Sequence, residues 1–261
     1  MNYKEEIENF VIDGFEIINS NPTYYKSFVL KNRKDNFVTE PQKGFEYHKW
    51  ASSLKSSQAF AYNIFSGVEN SRLMFEFHMK VFDTDAQIDV KIEKEQTIEL
   101  FEVKAFEIVK MEDIVFKEKY YTKTEYKRID IADPFIKFLK TVIKFFEQEG
   151  QRIYGGGIKQ LCSHLLGILN TMNEPGYENK KFKLYSLCFD NPFSPKFEQD
   201  LTNYINTLSK FKKLVDDFLI EINVGSRIEY FGFLSAREYL NKNKEFLGTR
   251  NYDYVLKRYF H

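Results

Sequence analysis

The chain has 261 residues, 43% of them hydrophobic and 29% charged, a length and balance that suit one sizeable soluble domain with a substantial buried core. Lys and Arg together number 38, as do Asp and Glu, so no global positive field draws the protein to nucleic acid or to an anionic membrane, and any DNA contact rests on a local patch. No apolar run reaches the roughly eighteen residues of a membrane helix or resembles a signal peptide, and Cys162 and Cys188 sit in apolar runs without metal-ligand spacing, so a cytoplasmic protein with buried thiols and no membrane contact is expected.

Apolar Ile7, Phe10, Val11, Phe15 and Ile18 recur at helical spacing and predict an opening helix over Glu5 to Ile18. Asn19 to Gly44 is polar and broken by Asn21-Pro22 and Glu40-Pro41, which suits an N-terminal arm over about residues 1–45 with a short Phe28-Val29-Leu30 strand. A second helix is expected from Tyr47 to Phe65, with Trp50, Leu54, Ala61, Ile64 and Phe65 as its apolar stripe and Gly67 as its stop. Ser52, Ser53, Ser56, Ser57, Gln58 and Asn63 crowd it with mediocre helix formers, which fits either close packing against a sheet or the polar wall of a site.

Alternation of Leu73, Phe75, Phe77, Met79 and Val81 predicts a strand over Arg72 to Phe82, turned by Asp83-Thr84-Asp85. Two strands follow, one carrying Ile88-Asp89-Val90 and one carrying Phe101-Glu102-Val103-Lys104, joined by the polar run Glu93-Lys94-Glu95-Gln96. Residues two apart on a strand share a side, so Glu102 and Lys104 project together, and antiparallel pairing brings Asp89 near Glu102. Two carboxylates and an ammonium at adjacent strand ends suit a Mg²⁺ site, because the hard ion takes oxygen ligands and keeps waters that a lysine can orient. The bland alternative is a half-exposed cross-strand ion pair. Asp85, in the preceding turn, is the next acidic candidate.

Glu107 to Lys127 is charged and reads as a solvated excursion. Asp133-Pro134 reads as the cap of a helix with Phe135, Phe138, Leu139, Val142, Ile143 and Phe146 as its stripe. Gly155-Gly156-Gly157 leads into a helix over Ile158 to Leu169; it lacks the Lys-Ser/Thr of a nucleotide loop, and reads as a joint between packed helices, with approach of a phosphate to the helix-start amides as the alternative. Gln160 and His164 are four apart on that helix and point together, His164 reading as an ordinary half-buried side chain. A strand is expected over Lys183 to Phe189, and a long amphipathic helix over Phe197 to Ile222 that packs on a sheet or on a second copy of the chain. Arg227 to Leu234 reads as a strand, and Ser235-Ala236-Arg237-Glu238 as a capped helix start. The basic, aromatic tail around Lys242, Arg250, Lys257 and Arg258 suits a solvated helix face or a contact with a nucleic acid backbone.

Asp89 followed by Glu102-Val103-Lys104 resembles the acidic-residue-then-Glu-x-Lys pattern of the PD-(D/E)XK nuclease superfamily. Ser56-Ser57-Gln58 with Asn63 is similar to a helix that precedes the catalytic strands in poorly characterised bacterial members. The resemblance implies an α/β, restriction-endonuclease-like domain: a mixed central sheet flanked by helices, spanning 1–261 as one unit with a C-terminal helical extension over about 197–261. It implies a metal-dependent DNA nuclease, of restriction or defence type, with Mg²⁺ or Mn²⁺ held by Asp89, Glu102 and the backbone carbonyl of Val103. Lys104 would orient the attacking water or stabilise developing charge, Gln160 and Lys159 would lie beside the metal site, and Glu46 would be an extra acid. The alternative is a catalytically inactive nuclease fold that binds nucleic acid or protein, with the Phe197–Ile222 helix as a homodimer face.

Overall fold

Strand alternation and helical periodicity sort the chain into the elements seen in the computed structural model, which describes residues 3–19, 56–65, 67–68, 73–109, 111–148, 153–154 and 157–261. The elements are α1 (Tyr3–Asn19), α2 (Ser57–Phe65), β1 (Leu73–Lys80), β2 (Asp85–Glu93), β3 (Thr97–Lys104), β4 (Met111–Glu112), α3 (Ile129–Gln148) and β5 (Ile153–Tyr154). They continue with α4 (Gly157–Thr171), β6 (Lys181–Cys188), α5 (Pro195–Glu221), β7 (Ile228–Ser235), α6 (Ala236–Lys242), α7 (Lys244–Leu247) and α8 (Thr249–Tyr259). Of the expected arm, residues 3–19 form α1, while residues 20–45, Glu46, Trp50 and Gly155-Gly156 lie outside the described residues.

The main sheet has the order β1-β2-β3-β6-β7. β1, β2 and β3 form an antiparallel meander, and β3, β6 and β7 run parallel. A strand with neighbours on both edges and helices on both faces must be apolar on both sides, and β3 is: Ile98, Leu100, Phe101 and Val103 are all buried. Phe101 packs on Phe65 of α2 and Tyr239 of α6, whereas Glu102 and Lys104 meet α4, so β3 separates an α2/α6 layer from an α4 layer. β4 and β5 pair as a small separate ribbon.

α5 starts at the Ser194 cap, whose hydroxyl accepts from the Phe197 amide, with Pro195 in the first turn. Its stripe of Tyr204, Leu208, Phe211, Val215 and Phe218 is buried within the chain, Phe211 against Tyr230 of β7 and Phe218 stacked on Phe138 of α3. The apolar face considered for a homodimer is therefore covered by the protein's own sheet and helix. The region expected as a helical extension also contributes β7 to the main sheet.

Three expectations are corrected. α3 begins at Ile129, and Pro134 lies inside it, where its missing N–H leaves the Asp130 carbonyl without an intrahelical donor. The span from Glu107 to Lys127 is not a free excursion: Ile108, Phe116 and Tyr126 are buried, and Phe82 meets Tyr120 and Tyr126 edge-on. The basic, aromatic tail turns inward, since Tyr254, Arg258 and Tyr259 of α8 are buried and the Arg258 guanidinium donates to Tyr254 Oη at 2.8 Å. Asn63 Nδ2 donates to Tyr259 Oη, and Asn251 Nδ2 to the Ile64 carbonyl, which ties α8 to α2. Among the described residues no helix is long and apolar enough to cross a membrane.

Candidate active site

The β1/β2 register pairs Phe75 with Val90 and Phe77 with Ile88, which sets Glu76 opposite Asp89. The β2/β3 register ends with Val90 beside Phe101, and one step further sets Asp89 opposite Glu102. Beyond that pair the side chain of Asp89 substitutes for the backbone, its Oδ2 accepting the Val103 N–H at 2.6 Å. The N–H and C=O of one strand residue point to the same edge, so the Val103 carbonyl is directed to the edge that carries Asp89.

Glu102 is 2% exposed, and both of its oxygens are engaged. Oε1 accepts from Lys104 Nζ at 2.6 Å, and Oε2 meets His164 Nε2 at 2.7 Å. Lys104 Nζ also donates to Gln160 Oε1 at 2.8 Å. α4 thus places Gln160 on Lys104 and His164 on Glu102, one helical turn apart. Its first residue, Gly157, belongs to the same corner: a Cβ there would come 2.9 Å from Tyr204 Oη and 3.8 Å from Lys104 Cε. A side chain there would have to push the Tyr204 hydroxyl aside, so the expected joint is also a close contact beside the cluster.

The charges in this cluster do not balance. Burial works to raise the Glu102 carboxyl, but the Lys104 charge, His164 and their hydrogen bonds outweigh it and hold the group at about 2. Burial likewise opposes the Lys104 ammonium, yet Glu102, Asp89 and Glu107 raise its pKa. Asp89 is pushed well up, first by burial and then by the negative charge of Glu102, with Glu76 adding to both and Lys104 and the Val103 amide opposing them. Glu76 is raised by burial and by Glu102, against a 2.8 Å hydrogen bond from Gln58 Nε2. Glu76 also has a φ of +51°, a left-handed backbone that a non-glycine residue rarely adopts inside a strand.

The structure brings Asp89, Glu102, Val103, Lys104 and Gln160 together, and adds two residues that sequence reasoning did not place here, Glu76 through its cross-strand position and His164 through its contact with Glu102. The polar wall of α2 reaches the cluster through Gln58, while Asn63 serves α8. Lys159 is exposed on α4, and Asp85 pairs with Lys80 and His78 at the β1/β2 turn, outside the cluster. Nor does the shallow depression on α3, lined by Ile136, Lys137, Lys140 and Lys144, share a residue with it.

Among the described residues no three His, Cys, Asp or Glu side chains are arranged to hold an ion by themselves. The donors at this corner are two carboxylates and a carbonyl, all hard oxygens, in a cluster where three acids face one ammonium. That set fits a cation such as Mg²⁺, which fills the rest of its shell with water or substrate oxygens. Comparison with protein-family models, curated proteins and solved structures gives no match, so any functional reading stands on the fold and on this cluster.

Proposed function

We propose that the chain is a metal-dependent nuclease that hydrolyses phosphodiester bonds in DNA, on a restriction-endonuclease-like α/β fold and of restriction or defence type. What supports the reading is the convergence of Asp89, Glu102 and Lys104 at the end of β3, with the Val103 carbonyl turned to the same edge. Asp89, Glu102 and the Val103 carbonyl would hold Mg²⁺, or Mn²⁺ with the same ligands. When bound, the cation would polarise a phosphoryl oxygen and lower the pKa of a bound water.

The remaining chemistry belongs to the chain. Lys104 is kept protonated by its acidic neighbours, so it serves as a fixed charge that holds the attacking water or offsets charge developing on the phosphate oxygens. Gln160 accepts from the same ammonium and aims it. Gln58 holds Glu76 at the rim, where a carboxylate whose pKa is raised can take a proton from water. Two buried free thiols, Cys162 and Cys188, suit a reducing compartment, and the cytoplasm is the proposed location.

One observation favours a second reading. Lys104 and His164 already engage both oxygens of Glu102, which is also how a closed structural ion pair in a non-catalytic binding module would look. Cleavage of plasmid, single-stranded DNA and RNA with Mg²⁺, Mn²⁺ or EDTA separates the two. The nuclease reading expects cation-dependent cleavage that Asp89→Ala abolishes. It also expects Lys104→Ala to lower turnover by about 10²–10³-fold while most DNA affinity survives, because the ammonium acts mainly in the transition state. Wild-type protein that binds DNA but cleaves nothing, with binding unchanged by replacing all three residues, establishes the binding module instead.

A further inference from the structure

We propose that His164 is a positioning residue of this site: its Nε2–H fixes the Glu102 carboxylate in the orientation that a divalent cation needs. This rests on the reading of Asp89 and Glu102 as cation ligands. His164 and Glu102 are each 2% exposed, and Nε2 lies 2.7 Å from Oε2. An ionised carboxylate only accepts, so Nε2 must carry the proton that joins them. The other ring nitrogen, Nδ1, is buried without a hydrogen-bond partner among the described residues. A histidine retained for stability alone is expected to satisfy both nitrogens, since a buried polar atom left unpaired costs free energy. Here the whole polar content of the ring is directed at one carboxylate oxygen.

The neighbours on α4 show what that contact accomplishes. Leu161, Leu165 and Ile168 are fully buried, so an apolar residue at 164 would suit the local packing. With such a residue, Oε2 would lose its donor, and the carboxylate could rotate to give both oxygens to Lys104. The ion pair would then close on itself and withdraw Glu102 from a cation. His164 prevents this by anchoring Oε2, while Gln160 on the same helix face draws the Lys104 ammonium from the other side. The Glu-x-Lys pair is gripped at both ends by one turn of helix.

The test compares wild type with H164L, H164Q and H164N. Gln can bring an amide N–H to the position of Nε2, whereas Asn is too short, so the last two differ in reach and not in chemistry. Mn²⁺ affinity is read from free Mn²⁺ by electron paramagnetic resonance, alongside kcat and KM for DNA cleavage, with circular dichroism to establish folding. H164L and H164N are expected to weaken Mn²⁺ binding by about 10–100-fold, with KM for DNA little changed, and H164Q to recover most of the loss. If H164L does not fold, H164N against H164Q decides. Equal Mn²⁺ affinity across the folded variants and wild type overturns the proposal, as does wild type that takes up no Mn²⁺. Wild type that binds Mn²⁺ yet cleaves no nucleic acid overturns the nuclease reading alone, and the variants' Mn²⁺ affinities still decide the role of His164.

Discussion

Glu76 combines two unfavourable features, a left-handed backbone and a carboxyl raised by burial and by the charge of Glu102. A carboxyl whose folded pKa lies above its unfolded value stabilises the fold below the unfolded pKa and loses that stabilisation as pH rises through the folded one. Glu76 and Asp89 therefore weaken the folded state at neutral pH. Glu102 has the opposite sign: held at about 2, it contributes stability at neutral pH that is lost as pH falls from about 4.5 toward that value. Glu76→Asn removes a charge and tolerates the left-handed region better, so it is expected to raise Tm near pH 7.5 and to lose part of that gain as pH approaches about 4.5. Calorimetry across that range checks it, and a lower Tm at neutral pH would contradict the assignment. The residue scale also shows what the sequence could carry. Strand parity was enough to unite Asp89, Glu102 and Lys104, since their spacing is local. Glu76 sits on the polar parity of β1, where an acid ordinarily faces water, and only its backbone and its cross-strand neighbour mark it as different. His164 was illegible for a related reason, because helical spacing says which face it shares but not which carboxylate lies across from it.

Among the elements, α4 is the one whose placement makes or breaks the cluster. A Cβ on its first residue would press on the Tyr204 hydroxyl at 2.9 Å and touch Lys104 at ordinary contact distance. Gly157→Ala sits at the first helical position, where the propensity gain is smaller than the roughly 1 kcal/mol of a helix interior, and must displace the fully buried Tyr204 or the helix end; overpacking of this kind costs about 1–3 kcal/mol. A net loss of stability is expected by urea denaturation, with a larger fall in cleavage than in DNA binding, since the displaced turn carries Gln160. Unchanged stability would mean that the contact relaxes without cost. Element boundaries were legible where caps are unambiguous, as at Ser235, whose hydroxyl accepts from the Glu238 amide at 2.9 Å. They failed at α3, where Asp133-Pro134 carries a helix-start signal but tertiary burial of Ile131 and Ala132 extends the helix backwards. The charged span before α3 was misjudged because charge is read from composition, whereas Tyr120 and Tyr126 find Phe82 only in three dimensions.

In the whole molecule, the meander β1-β2-β3 joins neighbours in sequence, while β3 must find β6 and the cluster must find α4. Asp89 and Val103 are 14 residues apart, but Lys104 and Gln160 are separated by 56 and Glu102 and His164 by 62. Short loops close at lower entropic cost than long ones, so the acidic hairpin is expected to form early, and the helix that orients it to dock late. The expectation is kinetic. Gln160→Ala should accelerate unfolding and leave refolding nearly unchanged, whereas Val90→Ala, in the buried centre of β2, should slow refolding. Stopped-flow chevrons measure both, and a slower refolding limb for Gln160→Ala would place α4 in the nucleus instead. The late contact also has a consequence for the lifetime of the native state. Any ligand that needs Glu102 and Lys104 in their final orientation recognises only chains in which α4 has docked, so it acts on the escape rate: the folded protein persists longer without being reached any sooner.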